Sequence, residues 1–453
     1  MKKDELLSIS PLDGRYSKFC KEIANSFSEF GLIKKRLEIE ISWFIFISDI
    51  KRVSELPKLS SKNRTFLKKI LSDFNLTEAK KIKKIEDTTK HDVKAVEYYL
   101  KSKIEGNSQL KIYKEFLHIF CTSEDINNLA YALMIREGVN ILSIELGKIT
   151  KLLKQYSKKY SKDSMLAFTH GQPASPTTMG KELRIYYQRI NEISKMLNDI
   201  PIMAKINGAT GNYSSHKLAY PKINWPSETK KFIESLGLNQ NTHTTQIESH
   251  DYIANISNKL SHVNSVLIGL SQDMWSYISK NYFIQKNVKG EVGSSTMPHK
   301  INPINFENAE GNLGLANSLL YFFSSKLVIS RLQRDLSDST TLRNIGTAFG
   351  YSNVAYKNIL IGLDKISINK EQLSSELDES WEILAEPIQM IARKYSNKDP
   401  YELLKKFSRG KKLNREIIIN IINSLDIPTK EKNILLDLKP SDYLGYSISL
   451  SNE

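Results

Sequence analysis

Residues 249–279 read SHDYIANISNKLSHVNSVLIGLSQDMWSYIS, and residues 303–329 read PINFENAEGNLGLANSLLYFFSSKLVI. In the first stretch Ile253, Ile256, Leu260, Val263, Leu267, Leu270, Met274 and Tyr277 recur at intervals that alternate three and four. In the second, Phe306, Ala309, Leu313, Ala316, Leu320, Phe323 and Leu327 do the same. An apolar seam sustained in this way predicts helices packed nearly parallel in a bundle. At 1.5 Å per residue each helix would be about 40–45 Å long, which exceeds the width of a small domain. Association of these helices between chains as well as within one is therefore expected.

Working outward, the chain has 453 residues, enough for two or three domains, and its 40% hydrophobic content fits a globular protein. The longest apolar cluster, around Ile41–Ile47, is too short to span a bilayer. The N-terminal MKKDELLSIS lacks an apolar signal core, so no secretion is expected. Two cysteines, Cys20 and Cys121, stand outside any CxxC or Cys/His ligand spacing. That suits a reducing cytoplasm and argues against structural zinc. The net charge is +15. The basic residues are scattered rather than gathered in one stripe, which speaks against a nucleic-acid partner. A multiply anionic small substrate would be steered by the same field.

Several short segments carry polar chemistry. Ser10-Pro11-Leu12-Asp13-Gly14-Arg15-Tyr16 makes a turn from which an arginine fork emerges. Thr88-Thr89-Lys90-His91-Asp92 starts a helix, with Thr89 or Asp92 as the cap. Cys121-Thr122-Ser123-Glu124-Asp125-Ile126 starts another, with Thr122 or Ser123 as cap and acids suited to the first turn. Phe168-Thr169-His170-Gly171-Gln172-Pro173-Ala174-Ser175-Pro176 reads as a stiff loop between helical stretches at about 139–162 and 178–200. A histidine there is suited to directed proton transfer. Gly208-Ala209-Thr210-Gly211 reads as a tight turn near the site. Ser330 to Arg343 is dense in hydroxyls and guanidinium groups, and Asp335 and Asp338 can pair with them. His243, His250 and His262 form no metal-ligand set. After residue 367 shorter helices are expected, broken at Pro387, Pro400 and Pro428, with Asp399-Pro400 as a start and Arg409-Gly410 as a stop.

The densest segment is Gly293-Ser294-Ser295-Thr296-Met297-Pro298-His299-Lys300-Ile301-Asn302-Pro303. It brings hydroxyls, an imidazole, an ammonium and an amide to the start of the second long helix, with Asn302 as cap and Pro303 in the first turn. A helix N-terminus backed by Lys300 favours carboxylates and negative charge that develops during a reaction.

This segment, with Thr169-His170-Gly171-Gln172-Pro173, Arg15-Tyr16, Lys90-His91-Asp92 and Thr122-Ser123, resembles the adenylosuccinate lyases of the fumarase/aspartase superfamily. The motifs keep the family's order over nearly the whole chain. They are strongest at 169–173 and 293–312 and weakest after 367. Asn305 stands where the family carries an acid. The resemblance implies an all-α fold: a long-helix bundle over 111–366 with smaller helical domains at 1–110 and 367–453. It implies a tetramer with sites shared between subunits, no cofactor or metal, no membrane or nucleic-acid partner, and β-elimination of fumarate from a nucleotide. Argininosuccinate lyase or a fumarase-like sister enzyme is the alternative. By the same resemblance Ser294 is the general base, His170 the general acid and Lys300 a stabilising cation. The substrate falls to Arg15, Tyr16, Lys90, His91, Asp92, Thr122, Ser123, Gln246, Ser295, Asn302 and Asn308. Arg334, Ser339, Thr340, Thr341, Leu342 and Arg343 complete that set, for the substrate and its phosphate. On chemistry alone His91 or His250 competes with Ser294 as the base.

Overall fold

Both seams fold as helices. In the computed structural model the first runs Asp251–Ser279 and the second Ile304–Lys326. Seven of the eight first-seam positions, Ile253 to Met274, and all seven positions of the second, Phe306 to Leu327, are at most 2% exposed. The second helix starts one residue later than expected. The Pro303 carbonyl accepts from the N–H groups of Phe306 and Glu307, so proline closes the non-helical side of the boundary. The structure describes residues 5–286, 290, 296–297, 299–395, 401–402, 404–405 and 413–453. The expected start at Asp399-Pro400 and stop at Arg409-Gly410 lie outside them.

In chain order the helices are α1 (Ser17–Phe27), α2 (Glu29–Asp49), α3 (Ser61–Ser72), α4 (Leu76–Thr89), α5 (Asp92–Glu105) and α6 (Ser123–Lys159). Then come the strand pair β1 (Ser164–Thr169) and β2 (Gln172–Thr178), followed by α7 (Met179–Asn198), α8 (Ser214–Ala219) and α9 (Trp225–Ser235). The long α10 (Asp251–Ser279) and α11 (Ile304–Lys326) precede α12 (Ser337–Leu342), α13 (Ile345–Asp364), α14 (Lys370–Asp378) and α15 (Ala385–Lys394). Helices Arg415–Ser424 and Thr429–Asp437 follow. Among the described residues the strands form only two-stranded pairs. The fold is therefore all-α in character, as expected.

Local chemistry explains many helix starts. Ser28, Ser60, Asn75, Asn224 and Asn414 each accept a hydrogen bond from a first-turn N–H. The start of α5 differs from expectation: His91, not Thr89 or Asp92, is the cap, its Nδ1 accepting from Lys94 N at 3.2 Å. Pro387 does not break a helix. It sits in the first turn of α15, where no intrahelical N–H is required of it. The expected loop at 168–176 is instead a hairpin. Thr169 pairs with Gln172 across a two-residue turn in which His170 and Gly171 have φ of 54° and 73°. Positive φ at both central residues is the primed hairpin geometry that matches strand twist. Pro173 and Pro176 are tolerated in β2 because a two-stranded ribbon needs hydrogen bonds on one edge only.

The chain packs as two units. One comprises residues 1–145, 193–265 and 311–357; the other comprises 146–192, 266–310 and 358–453. Each of the five passages between them falls inside a helix. The first unit is cored by Leu37, Trp43 and Phe44 of α2 with Leu67, Ile82, Val96, Leu100, Ile126, Leu129, Trp225 and Phe232. The second is cored by Leu166, Leu377, Leu384, Ile388, Ile418, Ile422 and Leu435.

Two buried polar groups of the first unit make testable contributions to stability. Asn264 of α10 is fully buried; its amide donates to Asn317 Oδ1 of α11 and to Ser352 Oγ of α13, both at 3.1 Å. Its carbonyl oxygen accepts from Tyr356 Oη at 2.6 Å. One side chain thus joins three helices, and replacing it orphans three buried groups. Asn264→Leu is expected to lose about 2–4 kcal/mol of unfolding free energy in urea titration, against about 1 for Tyr356→Phe.

His216 is buried against Phe120, Trp225 and Tyr213, with ring centroids 4.9–5.4 Å away, and neither ring nitrogen has a hydrogen-bond partner among the described residues. Burial lowers its pKa to about 4; Asp125 opposes the shift and Lys205 adds to it. The unfolded chain, titrating near 6.5, then binds more protons than the folded chain between those values. This contribution is complete above pH 6.5 and is lost as pH falls toward 4. It amounts to on the order of 3 kcal/mol. Urea midpoints of the wild type and His216→Phe, compared at pH 7.5 and pH 4.5, check it: the wild type should lose more stability on acidification than the variant.

Candidate active site

In the first unit the polar motifs converge on the N-termini of α5 and α6. Asp125 organises the α6 end. It is wholly buried, and its carboxylate accepts from the backbone N–H groups of Thr122 (2.9 Å), Asn207 (3.0 Å) and Gly208 (3.1 Å). The equally buried Lys205 ammonium lies 2.9 Å from it. The Thr122-Ser123 turn is thereby tied to the glycine turn at 208–211. Gly211 there has φ 77°, and a Cβ would stand 2.2 Å from the Thr244 carbonyl oxygen, so only glycine fits. Gln246 closes the other side: its side chain donates to Ala209 O at 3.1 Å and its backbone N–H to Gln333 O at 3.3 Å.

His91 connects the two helix starts. Because Nδ1 accepts from Lys94 N, the neutral ring carries its proton on Nε2, which lies 3.3 Å from Ser123 Oγ. Lys90 ends α4 with φ 53°. Asp92 accepts from Arg36 Nη2 at 2.6 Å and from Arg343 Nη2 at 3.0 Å. Burial pushes its carboxyl up, but the Arg36 charge and hydrogen bond, with the Val93 N–H and the Arg343 charge, together hold it below the usual range. Arg343 donates its other fork nitrogen to Glu29 at 2.6 Å.

Arg334 lies 2.7 Å from Glu124 and 3.6 Å from Asp338. Glu124, Asp338 and His250 are all buried, and their ligand-type atoms lie within 4.8 Å of one another. The charge that such a pair of acids calls for is supplied here by the Arg334 guanidinium. Burial raises the Glu124 pKa, and Arg334 opposes that rise without cancelling it. Asp335 folds the segment locally, accepting from the N–H groups of Arg331 and Ser337, both at 2.8 Å. In α12 Thr341 and Leu342 are buried, Ser339 is half-buried and Thr340 exposed. Arg15 is exposed on its turn, and Tyr16 is the residue before α1.

In the second unit His170 is exposed at the hairpin tip. Lys300 is exposed, its N–H donating to Met297 O at 3.0 Å; Asn302 and Asn308 are half-buried at and just inside the start of α11. Ser294 and Ser295 lie outside the described residues. Sequence reasoning missed Arg36, Glu29 and Lys205, and took Glu124 and Asp125 for dipole-facing acids. The available signal was only that Glu124 and Asp125 adjoin Thr122-Ser123.

Among the described residues no helix is long and apolar enough to cross a membrane. Residues 14–316 match the Lyase family, and residues 330–444 match the family described as Adenylosuccinate lyase C-terminal. The chain is 48% identical to the adenylosuccinate lyase of Buchnera aphidicola (from Acyrthosiphon pisum) over all of both chains, and 43% identical to that of Escherichia coli K12, again over all of both. With the adenylosuccinate lyase of Legionella pneumophila strain Corby the identity is 48% over 98% of each chain. The fold is similar to a crystal structure of a fumarate lyase from Mesorhizobium sp., with TM-score 0.77 and 15% identity, covering 96% of this chain and 97% of that one. It is similar also to the 3-carboxy-cis,cis-muconate lactonizing enzyme of Pseudomonas putida, with TM-score 0.76, 17% identity and coverage of 96% and 97%. Family matches along both parts of the chain, and identity that persists end to end, place the chain in the adenylosuccinate lyase family of the fumarase/aspartase superfamily.

Proposed function

We infer that the chain is a fumarate-releasing carbon–nitrogen lyase of purine biosynthesis. It cleaves adenylosuccinate to AMP, and also the succinyl-aminoimidazole carboxamide ribotide, by β-elimination. The observation that carries this inference is end-to-end identity of 43–48% with adenylosuccinate lyases, which reaches the segments bearing the polar side chains. The clustering of Arg334 and Arg343 with the α5 and α6 N-termini supports an anionic nucleotide over the argininosuccinate alternative, whose substrate has no phosphate.

The reaction removes a weakly acidic proton next to a carboxylate and passes through a doubly charged aci-carboxylate. Fixed donors must offset that charge. Lys300, Asn302, Ser295 and the N-terminus of α11 are assigned to it, and Thr122 and Ser123 to a substrate carboxylate. Ser294 is assigned as the base. A serine hydroxyl performs that task only when its surroundings favour ionisation, and that part is assigned to Lys300 and the loop N–H groups. His170 is assigned to protonate the departing nitrogen. Its place on a two-residue turn of fixed geometry supports a directed transfer. Arg15, Tyr16, Lys90, His91, Gln246, Asn308 and the 339–343 segment complete the substrate set. The assembly is a cytoplasmic homotetramer with shared sites, and the helical chain divides near 110 and 366. The length of α10 and α11 supports the assembly.

Incubating the purified protein separately with adenylosuccinate, argininosuccinate and malate, and following fumarate, tests the substrate. Fumarate is expected from adenylosuccinate alone; release from argininosuccinate or malate at a comparable rate would replace this function. Ser294→Ala and His170→Ala should each lower kcat about 10²- to 10⁴-fold while circular dichroism and Tm stay those of the wild type. Near-normal turnover in either variant removes that residue from its role.

A further inference from the structure

Arg36, on α2, belongs to none of the motifs, yet it is only 2% exposed. Its Nε donates to Asn127 Oδ1 at 2.8 Å and its Nη2 to Asp92 Oδ2 at 2.6 Å. Its Nη1 has no hydrogen-bond partner among the described residues. Asp92 is engaged on both oxygens: Oδ1 accepts from Val93 N at 2.9 Å, and Oδ2 takes Arg36 and Arg343 together. A carboxylate so occupied is a poor acceptor for a ligand, and it repels an anionic one. It is, however, well suited to holding a guanidinium. With Nη2 of Arg343 fixed on Asp92, the plane of that fork is set and Nη1 is aimed outward.

The outward position is filled by Glu29, whose Oε2 lies 2.6 Å from Arg343 Nη1. This second partner differs from the first. The Glu29 side chain is 41% exposed, faces Lys83 at 3.4 Å as well, and borders a cavity of about 330 Å³ that Arg343 also lines. A half-exposed pair is screened by water and readily exchanged. The Arg36–Asp92 pair is not, because separating it would leave a buried charge uncompensated. A phosphate offers the fork more oxygens and more charge than one carboxylate.

We propose that Arg36 is a positioning residue for Arg343, acting through Asp92, and that Glu29 is the intramolecular stand-in that the substrate's phosphate displaces. This rests on the assignment of Arg343 to the phosphate. It recasts Asp92 as part of the support for the phosphate site rather than a ligand contact. It also gives Arg36 and Glu29 functions that their sequence surroundings do not suggest.

The test uses AMP and adenosine as probes, because they differ only in the phosphate. Binding of both is measured by calorimetry on the full-length protein, alongside KM and kcat for adenylosuccinate and the melting temperature. Arg36→Met should weaken AMP about tenfold and raise KM in step, leaving adenosine binding unchanged. Asp92→Asn should do the same to a smaller extent. Glu29→Gln should tighten AMP about three- to tenfold, again without effect on adenosine. A purely structural Arg36 would weaken both probes alike, and that result overturns the positioning role, as does a folded Arg36→Met with unaltered AMP binding. If Arg36→Met does not fold, Asp92→Asn decides the same point: equal losses for both probes, or none, count against the relay. Unchanged or weaker AMP binding in Glu29→Gln overturns the stand-in. Arg343→Ala separates the two levels: if AMP binds to it as to the wild type, the phosphate assignment itself fails.

Discussion

The carboxylate of Asp125 receives three backbone N–H groups and one ammonium while none of it touches water. Burying a charge is tolerated only when its lost hydration is replaced almost completely. Here the replacements come from separate parts of the chain: the turn before α6, the residues after β3 (Met203–Ala204), and the glycine turn. They must all be in place together, so the constraint works as a register mark. It fixes where the Thr122-Ser123 turn stands relative to Gly208, and through the glycine turn it reaches Gln246 and the backbone of Gln333. Asn128, one turn further along α6, strengthens the same junction by exchanging hydrogen bonds with the backbone of Lys205.

From that junction the remaining polar groups follow. Ser123 meets His91, which is itself the cap of α5, so the starts of α5 and α6 are brought together by one imidazole. Glu124, the neighbour of Asp125, faces the 330–343 segment and holds Arg334. Asp92, the first residue of α5, holds Arg343. The two arginines come from one segment and are received by acids at two different helix starts. The bundle beneath contributes rigidity of another kind, since the buried Asn264 joins α10, α11 and α13 and opposes sliding of one seam along another.

The seams of α10 and α11 were legible because a periodicity of three and four is a local property, complete within one stretch of chain. Caps such as Asn75 and Asn224 were legible for the same reason. The hairpin at His170 was not, because Pro173 and Pro176 count against a strand until it is known that only one edge must pair. Nor was the cap of α5: three residues with suitable side chains adjoin, and the contact from His91 to Ser123, 32 positions away, favours the third. The acids of α6 illustrate the limit most sharply. Glu124 and Asp125 fit the helix dipole so well in sequence that burial was not called for, and what identifies it, Lys205 and Arg334, lies 80 and 210 residues on. Arg36 left no local trace, since its partners Asp92 and Asn127 are 56 and 91 residues distant.

The acids that hold the arginines and the helix starts differ in how fully they are compensated. Asp125 and Asp92 have both oxygens engaged, and Asp92 stays ionised below the usual range despite its burial. Among the described residues, one Glu124 oxygen and both oxygens of Asp338 have no hydrogen-bond partner. Burial holds the Glu124 pKa above its ordinary value even with Arg334 beside it. Arg334 is shared between Glu124 and Asp338, whose charges outweigh its own burial and raise its pKa, so the guanidinium is held as a cation between acids that outnumber it.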